Sequence, residues 1–212
     1  MRGATCVVLA AGAGTRMGGG KLERPFRGGS ILDSVLDACR DFPTVVVASG
    51  GLIKAVPRLR AARYARDDNA CDARDDNACD ARDDNACVRL VVNDEQERGM
   101  AHSLRLANAA IDPDHAIAVL LGDKPLVSAG LVERMVGELG ENDVVYPVRG
   151  GTPGHPVVFS PFARALIVAL RDGDTIHMVR DHDMLARRRI DVDDEGAYAD
   201  VDTEDDYRRL SP

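Results

Sequence analysis

Lysine is scarce in this 212-residue chain. Only Lys21, Lys54 and Lys124 stand against 24 arginines. A basic excess is also missing. The formal charge is −8, and residues 66–87, with eight Asp and three Arg, carry −5 of it. That balance excludes the electrostatic footprint of a nucleic-acid binder. Long hydrophobic runs are absent too. The longest apolar stretches, Ala4–Ala13 and Ala116–Leu121, fall far short of a membrane span. Met1-Arg2 before the first of them mimics a secretory signal, but the run flows into a Gly-rich loop, so it reads as a strand of the fold. The five cysteines (Cys6, Cys39, Cys71, Cys79, Cys87) are odd in number and show no zinc-like CxxC spacing. Cys6 lies in a strand pattern and Cys39 in a helix pattern. Both are expected to be buried, reduced thiols, which points to the cytoplasm. No Ser-His-Asp or Cys-His set for nucleophilic catalysis is evident.

Against these absences stands ordinary globular material, 45% apolar and 29% charged. The length predicts one domain over residues 1–212, with an insertion at about 65–88. There the octad Ala-Arg-Asp-Asp-Asn-Ala-Cys-Asp occurs twice, and a third time ending in Val88. Eight residues are too few for a solenoid unit, and the spacing spreads the three cysteines around a helix. The segment reads as a polar surface insertion.

Outside it, strand and helix patterns alternate. Strands are predicted at Thr5–Ala10, Thr44–Ala48, Val88–Val92, Ala116–Leu121, Asp143–Val148, Pro156–Phe159 and Arg189–Val192. Helices are predicted at Ile31–Arg40, Leu52–Ala62, Met100–Ala110, Ala129–Leu139, Pro161–Leu170, Asp174–His182 and Glu204–Leu210. Ser30, Ser128 and Thr203 stand where N-caps belong. The alternation predicts an α/β fold, a mainly parallel sheet with helices on both faces. Ligands in such folds bind beyond the carboxyl ends of the strands.

The loop after the first strand is Leu9-Ala-Ala-Gly-Ala-Gly-Thr-Arg-Met-Gly-Gly-Gly-Lys21. Its glycines let backbone N–H groups approach an anion closely, and Arg16 and Lys21 add a guanidinium fork and a point charge. It is not a Walker loop, because Thr15 stands where that pattern needs Gly and Leu22 where it needs Ser or Thr. Met17 likewise replaces the third glycine of the dinucleotide fingerprint. Asp123, just after the strand Ala116–Leu121, is suited to a hard cation, since Mg²⁺ keeps several waters and needs one or two carboxylates.

These residues resemble the MobA-like nucleotidyltransferases, which have a Rossmann-like fold of the GT-A type. The blocks follow in order: the Leu9–Lys21 loop, Lys21-Leu-x-Arg-Pro-Phe-x-Gly, Gly99-Met-Ala-His-Ser-Leu-Arg, Leu121-Gly-Asp-Lys-Pro, Gly154-His-Pro-Val-Val-Phe and Asp200-Val-Asp-Thr-Glu-Asp-Asp. Ala11 makes the loop most similar to that of the molybdenum cofactor cytidylyltransferases; the guanylyl branch usually has Gly there. The resemblance implies attack by an acceptor phosphate on the α-phosphorus of a nucleoside triphosphate, CTP before GTP, with loss of pyrophosphate. A phosphate with a second pKa of about 6 needs little help from a base, so catalysis rests on positioning, metal and cations.

The resemblance assigns nucleotide binding to Leu9, Ala10, Ala11, Gly12, Gly14, Thr15, Arg16, Lys21, Ser103 and Gly122, and catalysis to Arg16, Lys21 and Asp123. Asp123 and Asp202 are the implied ligands of Mg²⁺, with Mn²⁺ as a substitute. Read from the residues alone, Asp200–Asp206 is a helix start capped by Thr203 and Asp206, and Ser103 is a helix cap. Lys124 and His155 are candidate substrate contacts. His155 equally suits a bond to a backbone carbonyl. Lys124 departs from the glutamine common in the cytidylyl branch, and suggests either a phosphate ligand or a partner for Asp123. The implied acceptor is molybdopterin cofactor, with a molybdenum-insertion chaperone or a molybdenum hydroxylase as partner. A reductase and a non-catalytic cofactor carrier are the competing readings.

Overall fold

The structure, a computed structural model, describes residues 3–12, 17, 19–55, 63–64 and 88–211. Gly14, Thr15, Arg16, Cys71, Cys79 and Cys87 lie outside the described residues, as does the 56–62 part of the expected second helix.

The strands are β1 (Ala4–Ala10), β2 (Pro25–Phe26), β3 (Gly29–Ser30), β4 (Thr44–Ala48), β5 (Arg63–Tyr64), β6 (Val88–Val92), β7 (Ala116–Leu121), β8 (Val144–Arg149), β9 (Thr152–Pro153), β10 (Val157–Phe159) and β11 (Arg187–Asp191). Eight of them form one sheet in the order β11-β8-β10-β7-β1-β4-β6-β5, with β9 hairpinned onto β8. β1 pairs in parallel with β4 and β7, β4 with β6, β6 with β5, and β8 with β11. β10 alone among these eight runs the other way, antiparallel to both β7 and β8. β2 and β3 form a separate two-stranded ribbon that turns at Arg27 and Gly28.

The period of two along each strand sends alternate side chains into two cores. Cys6, Val8, Ala118 and Leu120 face one side, where Leu32, Val35 and Leu36 of the helix Ile31–Ala38 and Leu131, Val132 and Met135 of the helix Ala129–Gly137 cover them. Val7, Val45, Ile117 and Val119 face the other, under Ala101, Leu104 and Ala107 of the helix Gly99–Ala109 and Ala163 and Ile167 of the helix Pro161–Val168. Full burial of each such aliphatic side chain contributes about 1.5–3 kcal/mol.

Helix ends follow the expected chemistry. Ser30 and Asp33 form a capping box, Thr203 and Asp206 form another, and Ser128 caps Leu131 N. Arg164 closes the carboxyl end of the Gly99–Ala109 helix, donating to the carbonyls of Asn108, Ile111 and Asp112 at and just after that end. The expected helix Asp174–His182 shortens to Ile176–Arg180. Asp174 instead accepts from Arg171 N at 2.7 Å and closes a turn. The last strand starts two residues earlier than expected, because Arg187 pairs with Val144 at the start of β8. Cys6 and Cys39 are buried free thiols. Their mutual hydrogen bond and burial hold the Cys6 pKa well above its ordinary value. No helix among the described residues is long and apolar enough to cross a membrane.

Candidate functional site

The carboxyl ends of β1, β4 and β7 open into a cleft of about 430 Å³. Its walls are largely apolar: Leu9, Ala10 and Ala11 from the end of β1, Leu52 from the helix Gly50–Ala55, and Met100 from the helix Gly99–Ala109. Gly12, Gly20, Lys21, Ser103 and Asp123 also line it. Gly122 does not. It is packed behind the cleft, where an added Cβ would sit 3.2 Å from Leu9 O and 3.2 Å from Leu22 Cδ1, so a side chain there would push β7 away from β1.

Lys21 opens a short 3-10 turn, Lys21–Glu23. Its ammonium donates to Asp123 Oδ2 and to Asp202 Oδ1, both at 2.9 Å. Partial burial opposes that charge, but the two carboxylates outweigh burial and raise the Lys21 pKa above its usual value. The other oxygen of Asp123, Oδ1, is buried and has no hydrogen-bond partner.

Distant parts of the chain are clamped to build this triad. The Arg24 guanidinium stacks 4.0 Å from the Tyr207 ring and pairs with Glu204. Tyr207 Oη donates to Pro25 O at 2.6 Å. These contacts tie the segment after the first loop to the helix Glu204–Leu210. Val201 N donates to Asp123 O at 2.9 Å, which sets Asp202 beside Asp123. The capping box occupies Thr203 and Asp206, so the helix start and the carboxylate pair use different acids.

Among the described residues Lys124 does not pair with Asp123. It is 5% exposed, donates to Tyr198 O at 2.9 Å and lies 3.6 Å from Asp200. It braces the segment that leads to Asp202, and its carboxylate partner among the described residues is Asp200. His155 has the carbonyl partner: Nδ1 lies 3.3 Å from Val119 O. A carbonyl only accepts, so Nδ1 carries the hydrogen. Burial pushes the His155 pKa down to about 4, against the Val119 bond and with help from the nearby charges of Lys124, His177 and Arg180. Ser103 is the fifth residue of its helix rather than a cap, and accepts from Asn93 Nδ2. Asn93, Gln96 and Ser49 belong to the cleft or its support and carried no motif. Their common signal is position, since Ser49 and Asn93 directly follow β4 and β6.

Among the described residues no cluster of three or more His, Cys, Asp or Glu forms a metal site. The fit for a metal is therefore a two-carboxylate one, Asp123 with its orphaned Oδ1 and Asp202, and it suits a hard cation that keeps waters.

The chain resembles known proteins along most of its length. The MobA-like NTP transferase domain matches residues 6–189. The molybdenum cofactor cytidylyltransferase of Escherichia coli K12 is 23% identical over 203 residues, spanning 95% of this chain and 92% of that protein. The nicotine blue oxidoreductase of Paenarthrobacter nicotinovorans is 30% identical over 217 residues, spanning 97% of this chain and 95% of that protein. The crystal structure of Rv0371c from Mycobacterium tuberculosis H37Rv superposes with a TM-score of 0.75 at 26% identity, covering 99% of this chain and 97% of that one. A second structure of Rv0371c is a complex with manganese. With the family model matching most of the chain, and the sheet order and the carboxylate pair in place, the chain belongs to the MobA-like NTP transferase domain family and is a nucleotidyltransferase.

Proposed function

We propose that this protein transfers the nucleotidyl group of CTP to the phosphate of molybdopterin cofactor in a magnesium-dependent reaction. The observation that carries the reading is the Lys21–Asp123–Asp202 triad at the mouth of an apolar cleft beyond the sheet. The apolar walls suit a flat base, and the Gly12–Lys21 stretch suits a triphosphate. An oxygen of the acceptor phosphate forms a bond to the α-phosphorus. The bond from that phosphorus to the bridging oxygen breaks, and pyrophosphate leaves with the electron pair. Lys21 holds the two carboxylates in register and supplies positive charge beside the transferring group. Asp123 and Asp202 would hold the divalent cation, which when bound neutralises phosphate charge. Arg16 is assigned to the triphosphate from its loop position.

CTP is preferred to GTP on the strength of Ala11 and of the Escherichia coli relative. Mg²⁺ is the proposed metal, and the manganese complex of Rv0371c supports a divalent cation. A molybdenum-insertion chaperone or a molybdenum hydroxylase is the partner such a product would meet. A reductase is the second reading, favoured by the 30% identity to nicotine blue oxidoreductase along nearly the whole chain.

The test is pyrophosphate release with molybdopterin cofactor and Mg²⁺, comparing CTP, GTP, ATP and UTP. Release with CTP, reduced at least about a hundredfold by Asp123→Asn, is expected. Release with GTP alone would move the base assignment and keep the chemistry. No release with any nucleotide, together with NADPH oxidation, would replace the reading by the reductase.

A further inference from the structure

The helix Pro161–Val168 carries its charge on the inside. Its one charged residue, Arg164, is buried and reaches the carbonyls of Asn108, Ile111 and Asp112. The outward face is apolar. Phe162 is 60% exposed and Val168 67%, and Ala165 and Ala169 are exposed beside them. Spacings of three and four residues put these four side chains on one side of the helix. Two other helices meet solvent differently. Glu133 and Arg134 are exposed on the helix Ala129–Gly137, and Glu204, Asp205, Arg208 and Arg209 on the helix Glu204–Leu210. A helix face turned to water is ordinarily polar, and an exposed apolar patch marks an interaction surface.

The adjoining helix Ile176–Arg180 enlarges the patch. It packs on the same side of the sheet through Ile176 and Val179, and leaves Met178 59% exposed. Met184, just beyond it, is 69% exposed. At these exposures Phe162, Val168, Met178 and Met184 present about 500 Å² of surface. Two such faces bury about 1,000 Å² together, before the alanines and the polar rim are added, which reaches the lower bound of a specific interface.

We propose that two copies of this chain pair through this face, with the helix Pro161–Val168 antiparallel to its copy about a two-fold axis at Ala165. The two-fold brings Phe162 of one copy onto Val168 of the other, and Ala165 onto Ala165. Alanine on the axis lets the helices approach to about 8 Å, and the antiparallel arrangement opposes their dipoles favourably. A second copy fits because the outer face of this helix presents no charge and its copy brings none to it. Residues 65–87, with eight Asp, would lose the hydration of their carboxylates on the same surface. The helix follows β10, whose reversed run starts it at the end of the sheet away from the cleft, so both clefts stay open in the pair.

Sedimentation velocity of the full chain between about 1 and 300 μM tests the pairing. The mass is expected to climb from 22.8 kDa toward twice that value, with a dissociation constant in the micromolar range. Phe162→Glu and Val168→Lys, both at exposed positions, should each raise that constant at least about tenfold and leave the melting temperature of the monomer nearly unchanged. The two substitutions combined in one chain should recover part of the association, because each new charge then meets its opposite across the axis. Should either variant fail to fold, Ala165→Arg on the axis takes its place. A mass of 22.8 kDa at every concentration would overturn the inference and leave the face to a different protein. A dimer that the single variants leave intact would overturn it as well, and so would one lost on deleting two octads, which would move the interface to residues 65–87. A double variant weaker than both singles would overturn the two-fold arrangement. None of these masses depends on the nucleotide reading of the cleft.

Discussion

Lys21 and Asp202 are 181 positions apart in sequence and joined by a 2.9 Å hydrogen bond. The same ammonium holds Asp123, so the protein supplies a cation of its own to a pair of acids that would otherwise repel each other. In Lys21→Met that repulsion is exposed. The triad is partly buried, and the loss is expected to be about 1–2 kcal/mol, or a melting temperature lower by about 2–8 °C. Mg²⁺ or Mn²⁺ should restore most of it, because a divalent ion can replace the missing charge. The raised Lys21 pKa means that the stabilisation is complete at neutral pH and fades only above the ordinary lysine range. Differential scanning fluorimetry with and without EDTA checks this, and a variant indifferent to metal would count against the carboxylate pair as a cation site.

Lys124→Gln separates a brace from a substrate contact. Glutamine can still donate to Tyr198 O but leaves Asp200 without its ion pair. The expected cost is about 1 kcal/mol of stability. The KM for the phosphate acceptor should stay within about twofold, because the side chain points into the fold rather than the cleft. A large rise in that KM with unchanged stability would return Lys124 to the substrate.

His155 makes stability depend on acid. Its folded pKa of about 4 lies below the unfolded value near 6.5. The unfolded chain therefore takes up a proton first. The neutral histidine is fully accommodated above about pH 6.5, and stability declines as pH falls from there toward 4. The loss approaches about 3 kcal/mol. Urea midpoints measured between pH 7 and pH 4.5 should fall, and His155→Gln should flatten that slope whatever it does to stability at pH 7.

In sequence the tandem octads lie between β5 and β6, and Val88 opens β6 at its end away from the cleft. Deleting two octads while keeping the Cys87–Val88 junction should leave melting temperature and nucleotidyl transfer nearly unchanged. Shortening the 65–87 segment to about a third of its length alters the closure cost by only about 1 kcal/mol. Loss of folding or of assembly on deletion would give the segment a structural role.

Much of this was legible beforehand where physics acts locally. The strands β1 and β7 follow from short apolar runs, and Ser30, Ser128 and Thr203 announce their helices because a cap is a contact over three residues. Asp202 came only through family resemblance, because its neighbours Lys21 and Asp123 are brought to it by the Arg24–Tyr207 and Val201–Asp123 contacts. The direction of β10 was not legible either, since a period of two is the same in both directions. The partners of Lys124 were not legible for a related reason. A lysine beside an acid in sequence suggests a local pair, whereas its partners, Tyr198 O and Asp200, arrive from the far end of the chain.

The reversed strand β10 has one more consequence. Most connections at the working edge of this sheet run from strand to helix, and such connections can lengthen without disturbing the strands. Gly154–Pro156 instead links the β8–β9 hairpin to β10, with Gly154 N bonded to Pro147 O and His155 N to Ala197 O. Its length is set by the pairing of strands on both sides. A residue inserted in this stretch would have to break a strand pairing, a cost that the strand-to-helix connections do not carry.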